Sequence, residues 1–357
     1  MFRRILVPLD GTPAAERALL IAAHLARAAQ GSVTVLRVIE WPPPGALVDS
    51  STLFDPSSSL AEHELASATR YLNETVQNYA QALEHLPVEQ EVAFGPPAST
   101  VFSAARLEQM DLIILCTHTA SRIKRWLVGS LAQQAVRRSP APLLVFHEQG
   151  PLLSLPRPGR PLRLLLPLDG SLTAEAVLRP ALQLLALLAP PELSLVQLLS
   201  VIDVPGYRTL GGPHFPVPDP DPREQLQEEA RSYLEGVMER VRQEQLADPA
   251  VTITSAVIAS SNVPGAILKH AAAEDAQNQT QQFDLIALAT HGRSGLSRLL
   301  LGSVTEQLLA SSKLPLFIVR PGMLHESNGS EEHTSQAEEQ KPPTSDEPGA
   351  VGWTGLL

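Results

Sequence analysis

The chain has 357 residues, a formal net charge of −11 and a single cysteine. This length corresponds to two or three domains of roughly 100–200 residues each. The acidic balance argues against a nucleic-acid surface, which needs clustered Lys and Arg. One cysteine excludes an internal disulfide and fits a reducing compartment. Because no run reaches the roughly 18 apolar residues of a membrane span, we expect a soluble, cytoplasmic protein.

The first predicted elements are a short strand and the helix that follows it. The strand is apolar and ends in the sequence Pro-Leu-Asp-Gly, residues 8–11. Thr12 followed by Pro13 predicts a helix N-cap with proline at the first helical position. Gly31 is placed to close that helix, and a second strand is expected to begin at Val33.

The rest of the first half contains further helical and strand patterns. A Pro-rich loop covers residues 41–56, and the segment around Ala68–Leu72 then has apolar residues at helical spacing. The run Leu112–Leu115 is almost continuously apolar, which is typical of a strand covered on both faces. Leu143–Phe146 predicts a short terminal strand.

The same order of elements recurs in the second half of the chain. Leu164–Ser171 is again an apolar strand that ends in Pro-Leu-Asp-Gly and a hydroxyl residue, and Ala230–Leu234 corresponds to Ala68–Leu72. The runs Leu285–Leu288 and Leu316–Val319 correspond to the last two strands of the first half. Strands that alternate with helices predict an α/β fold. We therefore expect two repeats, each a five-stranded parallel sheet with helices on both faces.

Composition divides the chain into four parts. We expect repeats at residues 1–148 and 162–322, joined by a Pro/Gly-rich linker at 149–161. The remaining tail, residues 323–357, is rich in Pro, Ser, Gly and Glu, and its seven acidic residues against one lysine give it a charge of −6. Such a composition predicts disorder.

The most informative stretch is the junction between a strand and a helix in the second half. The strand ends at Leu288, the turn covers Ala289–Gly292, and after nine intervening residues come Gly302 and Ser303. A glycine lets backbone amides approach an anion closely. Amides at a helix start are unpaired donors at the positive end of the helix dipole. Two such turns side by side are suited to hold a polyphosphate.

This pattern resembles the ATP-binding signature of the universal stress protein family. Gly292, the nine-residue spacing and Gly302-Ser303 match the family pattern, while Ala289 replaces its first glycine. The resemblance covers nearly all of residues 1–322. It implies an adenine nucleotide alpha hydrolase-like fold that binds ATP, with Mg²⁺ or Mn²⁺ as the accompanying ion.

The resemblance also assigns roles to individual residues of the second repeat. In nucleotide-binding members, the acid after the first strand meets the ribose, a role that falls by position on Asp169. The end of the second strand contacts adenine, and alignment of 33–42 with 196–205 assigns that role to Val201. Arg293 is suited to pair with a phosphate charge. The expected site comprises Pro167, Leu168, Asp169, Val201, Ala289, Gly292, Arg293, Gly302, Ser303, Val304 and Thr305.

The first repeat has kept this site less well. Thr119 stands where the second repeat has a glycine, and its Cβ crowds the space where phosphate oxygens would approach the backbone. A weaker first site would comprise Asp10, Val38, Thr119, Gly129 and Ser130. Because both repeats keep the acid, a simpler interpretation is that Asp10 and Asp169 cap the helices that follow them.

Three functional hypotheses follow. Neither site region shows a Ser/His/Asp order, paired inward carboxylates or metal-ligand His/Cys spacing. The leading hypothesis is therefore a stress-response module that binds an adenine nucleotide and changes its conformation or its protein partner. The alternatives are a slow Mg²⁺-dependent ATP hydrolase or phosphotransferase, and a ligand-free interaction scaffold.

The repetition also predicts how the two halves assemble. Members of the family commonly dimerise through the last strand, and bare apolar strand edges invite association. One chain already contains both halves of such a dimer, at Leu143–Phe146 and Leu316–Val319. We therefore expect these strands to pair within a monomer that has a pseudo-twofold axis.

Overall fold

The computed structural model describes residues 1–40, 59–117, 130–148, 150–151, 160–202, 222–272, 282–290 and 303–321. The predicted tail at 323–357 and the Pro-rich loop at 41–56 lie outside these ranges. The strands are β1 (Arg4–Leu9), β2 (Ser32–Ile39), β3 (Val88–Phe94), β4 (Leu112–Thr117), β5 (Leu143–His147), β6 (Leu162–Pro167), β7 (Ser194–Ile202), β8 (Thr252–Ala259), β9 (Leu285–Ala289) and β10 (Leu316–Val319).

All ten strands belong to one sheet with the order β3-β2-β1-β4-β5-β10-β9-β6-β7-β8. Within each half the strands are parallel and follow the same order. The expected α/β repeats with five parallel strands each are therefore confirmed.

Helices cover both faces of the sheet. They are α1 (Pro13–Glu16), α2 (Ala18–Ala29), α3 (Ser59–Asn78), α4 (Ala80–Leu83), α5 (Pro97–Leu107), α6 (Ser130–Arg138), α7 (Leu172–Glu175), α8 (Leu178–Leu188), α9 (Pro222–Gln243), α10 (Val263–Ala271) and α11 (Ser303–Ser311), with a 3₁₀ turn at Pro191–Leu193. Buried residues of α2, α3, α8 and α9 share one core, and those of α5, α6, α10 and α11 share the other. None of the helices in the described ranges has the length and apolar character needed to cross a bilayer.

The predicted first helix is present but divided in two. Thr12 is its N-cap, with its hydroxyl accepting from the Ala15 amide at 3.3 Å, and Pro13 opens α1 as expected. The helix breaks at Arg17, so α1 and α2 are separate. Gly31 does not supply the left-handed end of α2, because Gln30 takes that conformation with φ 52°.

A steric reason explains the glycine at position 31 instead. A Cβ added to Gly31 would collide with the backbone carbonyl of Arg3. Arg3 O also accepts from the Ser32 amide at 2.6 Å, which starts the pairing of β2 with β1. Gly31 therefore permits two backbone segments to approach each other closely.

The two halves meet through their terminal strands, as the sequence predicts. β10 pairs antiparallel with β5, with Phe317 opposite Leu144. The Phe2 side chain, which is fully buried, packs edge-to-face on Phe317 with a centroid distance of 6.0 Å. The sheet and both cores are therefore continuous across the junction.

Candidate functional site

An open cleft lies at the carboxyl ends of the strands in the second half. β6 is flanked by β7 on one side and β9 on the other, and in such sheets ligands bind where the strand order reverses. The cleft has an empty volume of about 680 Å³, which includes space open to solvent. Its lining consists of Pro167, Leu168, Asp169, Ala174, Leu199, Val201, Val263, Ile267, Leu288, Ala289, Thr290, Ser303, Val304, Thr305 and Leu308.

Asp169 occupies the tight turn between β6 and α7. Its Oδ1 accepts from the amide of Ser171 at 3.0 Å and from the Ser171 hydroxyl at 2.6 Å. Gly170 between them has φ 86°, a conformation that favours glycine. Ser171 Oγ in turn accepts from the Ala174 amide at 3.1 Å. The interpretation that Asp169 caps the helix directly is therefore wrong: Ser171 is the N-cap, and the carboxylate fixes that cap from the cleft side.

Val201 lies near the end of β7, at the position predicted from the alignment of the repeats. Leu36 is opposite Pro8 in the first half, and Leu199 is opposite Pro167 in the second. Two residues further along each strand come Val38 and Val201, so the two valines are equivalent in register. The half-buried Val201 lines the cleft.

The opposite side of the cleft is the start of α11. Ser303, Val304 and Thr305 form its first turn and line the cleft. Thr305 is 3% exposed, and its hydroxyl donates to the carbonyl of Ala289 at the end of β9 at 3.3 Å. This bond joins the helix start to the strand end. A nine-residue helix whose first amides point out of its N-terminus offers unpaired donors to an anion.

An apolar wall that the sequence analysis missed completes the cleft. Val263 and Ile267 lie on α10, and Leu308 lies on α11. The signal was present in the sequence, because residues 263, 267 and 271 are apolar and spaced four apart, which places them on one helical face. Asn262 caps that helix, with its Oδ1 accepting from the Gly265 amide at 3.0 Å.

The charges around the cleft are few. Asp169 is the one ionisable side chain among the described lining residues. Behind it, burial and the carboxylates of Glu175 and Asp169 raise the pKa of Tyr233, and Arg240 pairs with Glu175 at 2.6 Å. No group of three or more His, Cys, Asp or Glu side chains is placed to hold a metal ion in the described part of the chain.

The first half repeats some of these features and changes others. Asp10 Oδ1 accepts from the amide and hydroxyl of Thr12 at 3.0 and 2.7 Å, as Asp169 does from Ser171. Cys116 is opposite Phe146 on β5, and Ala289 is opposite Val319 on β10. Since Phe146 and Val319 are the fourth residues of equivalent strands, Cys116 is the first-repeat equivalent of Ala289. Burial raises the pKa of the Cys116 thiol to about 11.

Several predicted site residues lie outside the described ranges. These are Gly292, Arg293 and Gly302 in the second repeat, and Thr119 and Gly129 in the first. Ser130 is the first residue of α6. The structure thus brings together Pro167, Leu168, Asp169, Val201, Ala289, Ser303, Val304 and Thr305 around one cleft.

Comparisons with known proteins agree with this architecture. The model of the universal stress protein family matches residues 1–147 and 162–320. A universal stress protein of Mycolicibacterium smegmatis is 24% identical over 328 residues, which cover 89% of this chain and 97% of that protein. A universal stress protein of Mycobacterium tuberculosis is 24% identical over 66% of this chain and 70% of its own length. The crystal structure of a universal stress protein from Archaeoglobus fulgidus, 17% identical, covers 90% of this chain and 100% of that one with a TM-score of 0.57.

Proposed function

The chain belongs to the universal stress protein family, and we propose that its second repeat binds ATP or a related adenine nucleotide in the cleft at the ends of β6, β7 and β9. The observation that carries this proposal is the division of the cleft into three chemically different parts. An apolar wall, a single carboxylate and a helix N-terminus face one open space.

Each part suits one part of a nucleotide. Val201, Val263 and Ile267 offer apolar surface of the kind that covers a flat base. The carboxylate of Asp169 accepts hydrogen bonds from ribose hydroxyls. The first turn of α11 adds backbone amides and the hydroxyl of Ser303 for phosphate oxygens. Gly292, Arg293 and Gly302 are proposed, from the sequence pattern, to complete the phosphate site.

The proposal includes only a small role for the protein in holding a divalent ion. Mg²⁺ prefers oxygen ligands and keeps several waters, and it commonly bridges one or two carboxylates to substrate phosphates. Asp169 is the one carboxylate among the described lining residues. We expect the nucleotide phosphates to supply most of the ligands to Mg²⁺ or Mn²⁺.

The proposed activity is binding that changes the conformation or the protein partner of a stress-response protein. Rate acceleration of phosphoryl transfer needs charge stabilisation and a group that positions the nucleophile. The described cleft residues offer one carboxylate and the hydroxyls of two threonines and one serine for these tasks. Binding without rapid turnover is the function that this set supports best.

The test measures binding in matched variants of the two repeats. Isothermal titration with MgATP is performed on the full chain, on Val201→Trp and on Val38→Trp. We expect Val201→Trp to lower affinity at least tenfold because the indole fills the cleft, and Val38→Trp to have a smaller effect. Equal losses would contradict the assignment to the second repeat. Mass spectrometry identifies the ligand that freshly purified protein releases on denaturation. A released ligand that is not a nucleotide would overturn the proposal.

A further inference from the structure

A second cleft opens in the first repeat, between the end of β2 and helix α3. Its empty volume is about 1,320 Å³, which includes space open to solvent. It extends from Val38 and Pro97 across the strand end to Tyr71 on α3. Its lining consists of Gly11, Arg37, Val38, Ile39, Glu40, Leu60, Glu64, Ser67, Ala68, Tyr71 and Pro97.

The guanidinium of Arg37 is fixed inside this cleft. Its Nη1 donates to the carbonyl of Leu9 at 3.1 Å, and its central carbon lies 5.6 Å from the centroid of the Tyr71 ring. The Tyr71 hydroxyl donates to Glu16 at 3.0 Å, which holds the ring in place. A Cβ built on Gly11 would lie 3.4 Å from Nη1, so the turn after β1 approaches the same group closely.

Arg37 forms no ion pair with a described carboxylate, whereas Arg160 and Arg240 do. Among the described residues, ion pairs within 4.0 Å join Arg160 to Asp284 and Arg240 to Glu175, and none includes Arg37. A guanidinium has five N–H donors. The one hydrogen bond that Arg37 forms to a described residue is the bond from Nη1 to the Leu9 carbonyl. Buried charges are normally paired. The remaining N–H donors of the half-buried Arg37 guanidinium are therefore available to an anion.

The described residues of the second repeat show no counterpart to this arrangement. Because Val201 is equivalent to Val38, the residue equivalent to Arg37 is Ser200. A serine therefore stands in the second repeat where the first has the arginine. The nearby cation on that side is Arg240, which is already paired with Glu175. The free guanidinium is therefore a feature of the first repeat that the shared fold does not require.

We propose that the Arg37 cleft binds a small organic monocarboxylate. The planar fork of an arginine matches a carboxylate in a bidentate geometry. Val38, Ile39 and Pro97 provide apolar surface for the rest of the ligand. Glu40 and Glu64 add two negative charges to the lining, which disfavour a polyphosphate much more than a ligand that carries one carboxylate. The two repeats would then take different ligands.

The experiment follows the fluorine resonance of 4-fluorobenzoate added to the full chain. Line broadening reports binding at millimolar concentrations, and 4-fluorobenzamide provides a neutral probe of the same shape. The variants are Arg37→Gln and Arg37→Lys, with Arg70→Gln as the control. Arg70 lies next to Tyr71 on α3 and is exposed. Thermal unfolding of each variant establishes that it is folded.

We expect broadening of 4-fluorobenzoate with the wild type and Arg70→Gln, at least fivefold less with Arg37→Gln, and an intermediate value with Arg37→Lys. The neutral amide should show little broadening, and saturating MgATP should not displace the carboxylate. Equal broadening in all variants, or absence of broadening in the wild type, overturns the proposal. Displacement by MgATP also overturns it, because the probe would then occupy the nucleotide cleft, and that result would leave the proposed function intact.

Discussion

Nε2 of His147, at the end of β5, lies 3.2 Å from the carbonyl oxygen of Leu309 in α11. A carbonyl can only accept a hydrogen bond, so Nε2 carries the proton, while Nδ1 lies 3.3 Å from the Thr117 hydroxyl. His147 thus connects the first repeat to the helix whose N-terminus lines the proposed nucleotide cleft. Burial lowers the pKa of His147, and the Leu309 carbonyl partly opposes this shift.

The lowered pKa predicts that His147 makes stability depend on pH. The unfolded imidazole has an ordinary pKa of about 6.5, so between that value and the lower folded-state pKa the unfolded chain binds more protons. The stabilisation is therefore present above about pH 6.5 and is lost as the pH falls through the folded-state pKa. His147→Gln should lose less stability than the wild type between pH 7.5 and pH 5.0, measured by urea unfolding.

Other buried groups make a matched control necessary. Burial also lowers the pKa of His24 and His270 and raises that of Asp111 and Asp284. These two kinds of shift change stability in opposite directions as the pH falls. Subtracting the unfolding free energy of the variant from that of the wild type at each pH removes these contributions. His63→Gln, at an exposed position of α3, should keep the wild-type pH dependence. An unchanged pH dependence in His147→Gln would contradict the prediction.

The junction between the repeats should depend strongly on one aromatic residue near the start of the chain. Phe2 is 0% exposed and packs on Phe317 of β10. Removing a buried phenyl group typically costs about 3–5 kcal/mol, so Phe2→Ala should lower the free energy of unfolding by this amount in urea titrations. Leu107→Ala is the control, because Leu107 is 83% exposed and its loss should cost less than ~0.5 kcal/mol. Equal effects of the two changes would show that Phe2 contributes little to the junction.

The pairing of β5 with β10 predicts a monomer in solution. Each of these strands already has a partner on both sides within the chain, so neither is left as an apolar edge. Light scattering at micromolar concentration should give a mass near 38.4 kDa. A mass of about twice that value would mean that another surface, such as the outer strands β3 or β8, associates.

The sequence was sufficient for the fold because its signals were repeated and local. Two Pro-Leu-Asp-Gly turns and two pairs of apolar runs fixed the strand positions, and the register of Leu36 and Leu199 confirms the alignment of Val38 with Val201. Local chemistry also predicted the Thr12 cap.

What the sequence did not predict depends on contacts between distant residues. Position 31 requires glycine because the backbone of Arg3 lies too close for a Cβ. A rule about how helices end cannot predict this long-range contact. The Arg37 cleft depends on Leu9 and Tyr71, which lie 28 and 34 positions away in the chain. The apolar wall of the proposed nucleotide cleft combines α10 with α11, and no single segment showed that the two meet.

The last prediction separates the two roles of the acid after the first strand of each repeat. Asn in place of Asp169 keeps an Oδ1 that accepts from the amide and hydroxyl of Ser171, so the turn should persist and the unfolding free energy should change by less than ~0.5 kcal/mol. The charge that we propose to accept from ribose is lost, and a hydrogen bond to a charged group contributes roughly 1.5–3 kcal/mol. Asp169→Asn should therefore weaken MgATP binding about 10- to 100-fold by calorimetry. Asp10→Asn makes the same change in the same turn geometry of the first repeat and should leave the affinity within about twofold. If Asp169→Asn bound MgATP as tightly as the wild type, Asp169 would serve only to fix the Ser171 cap.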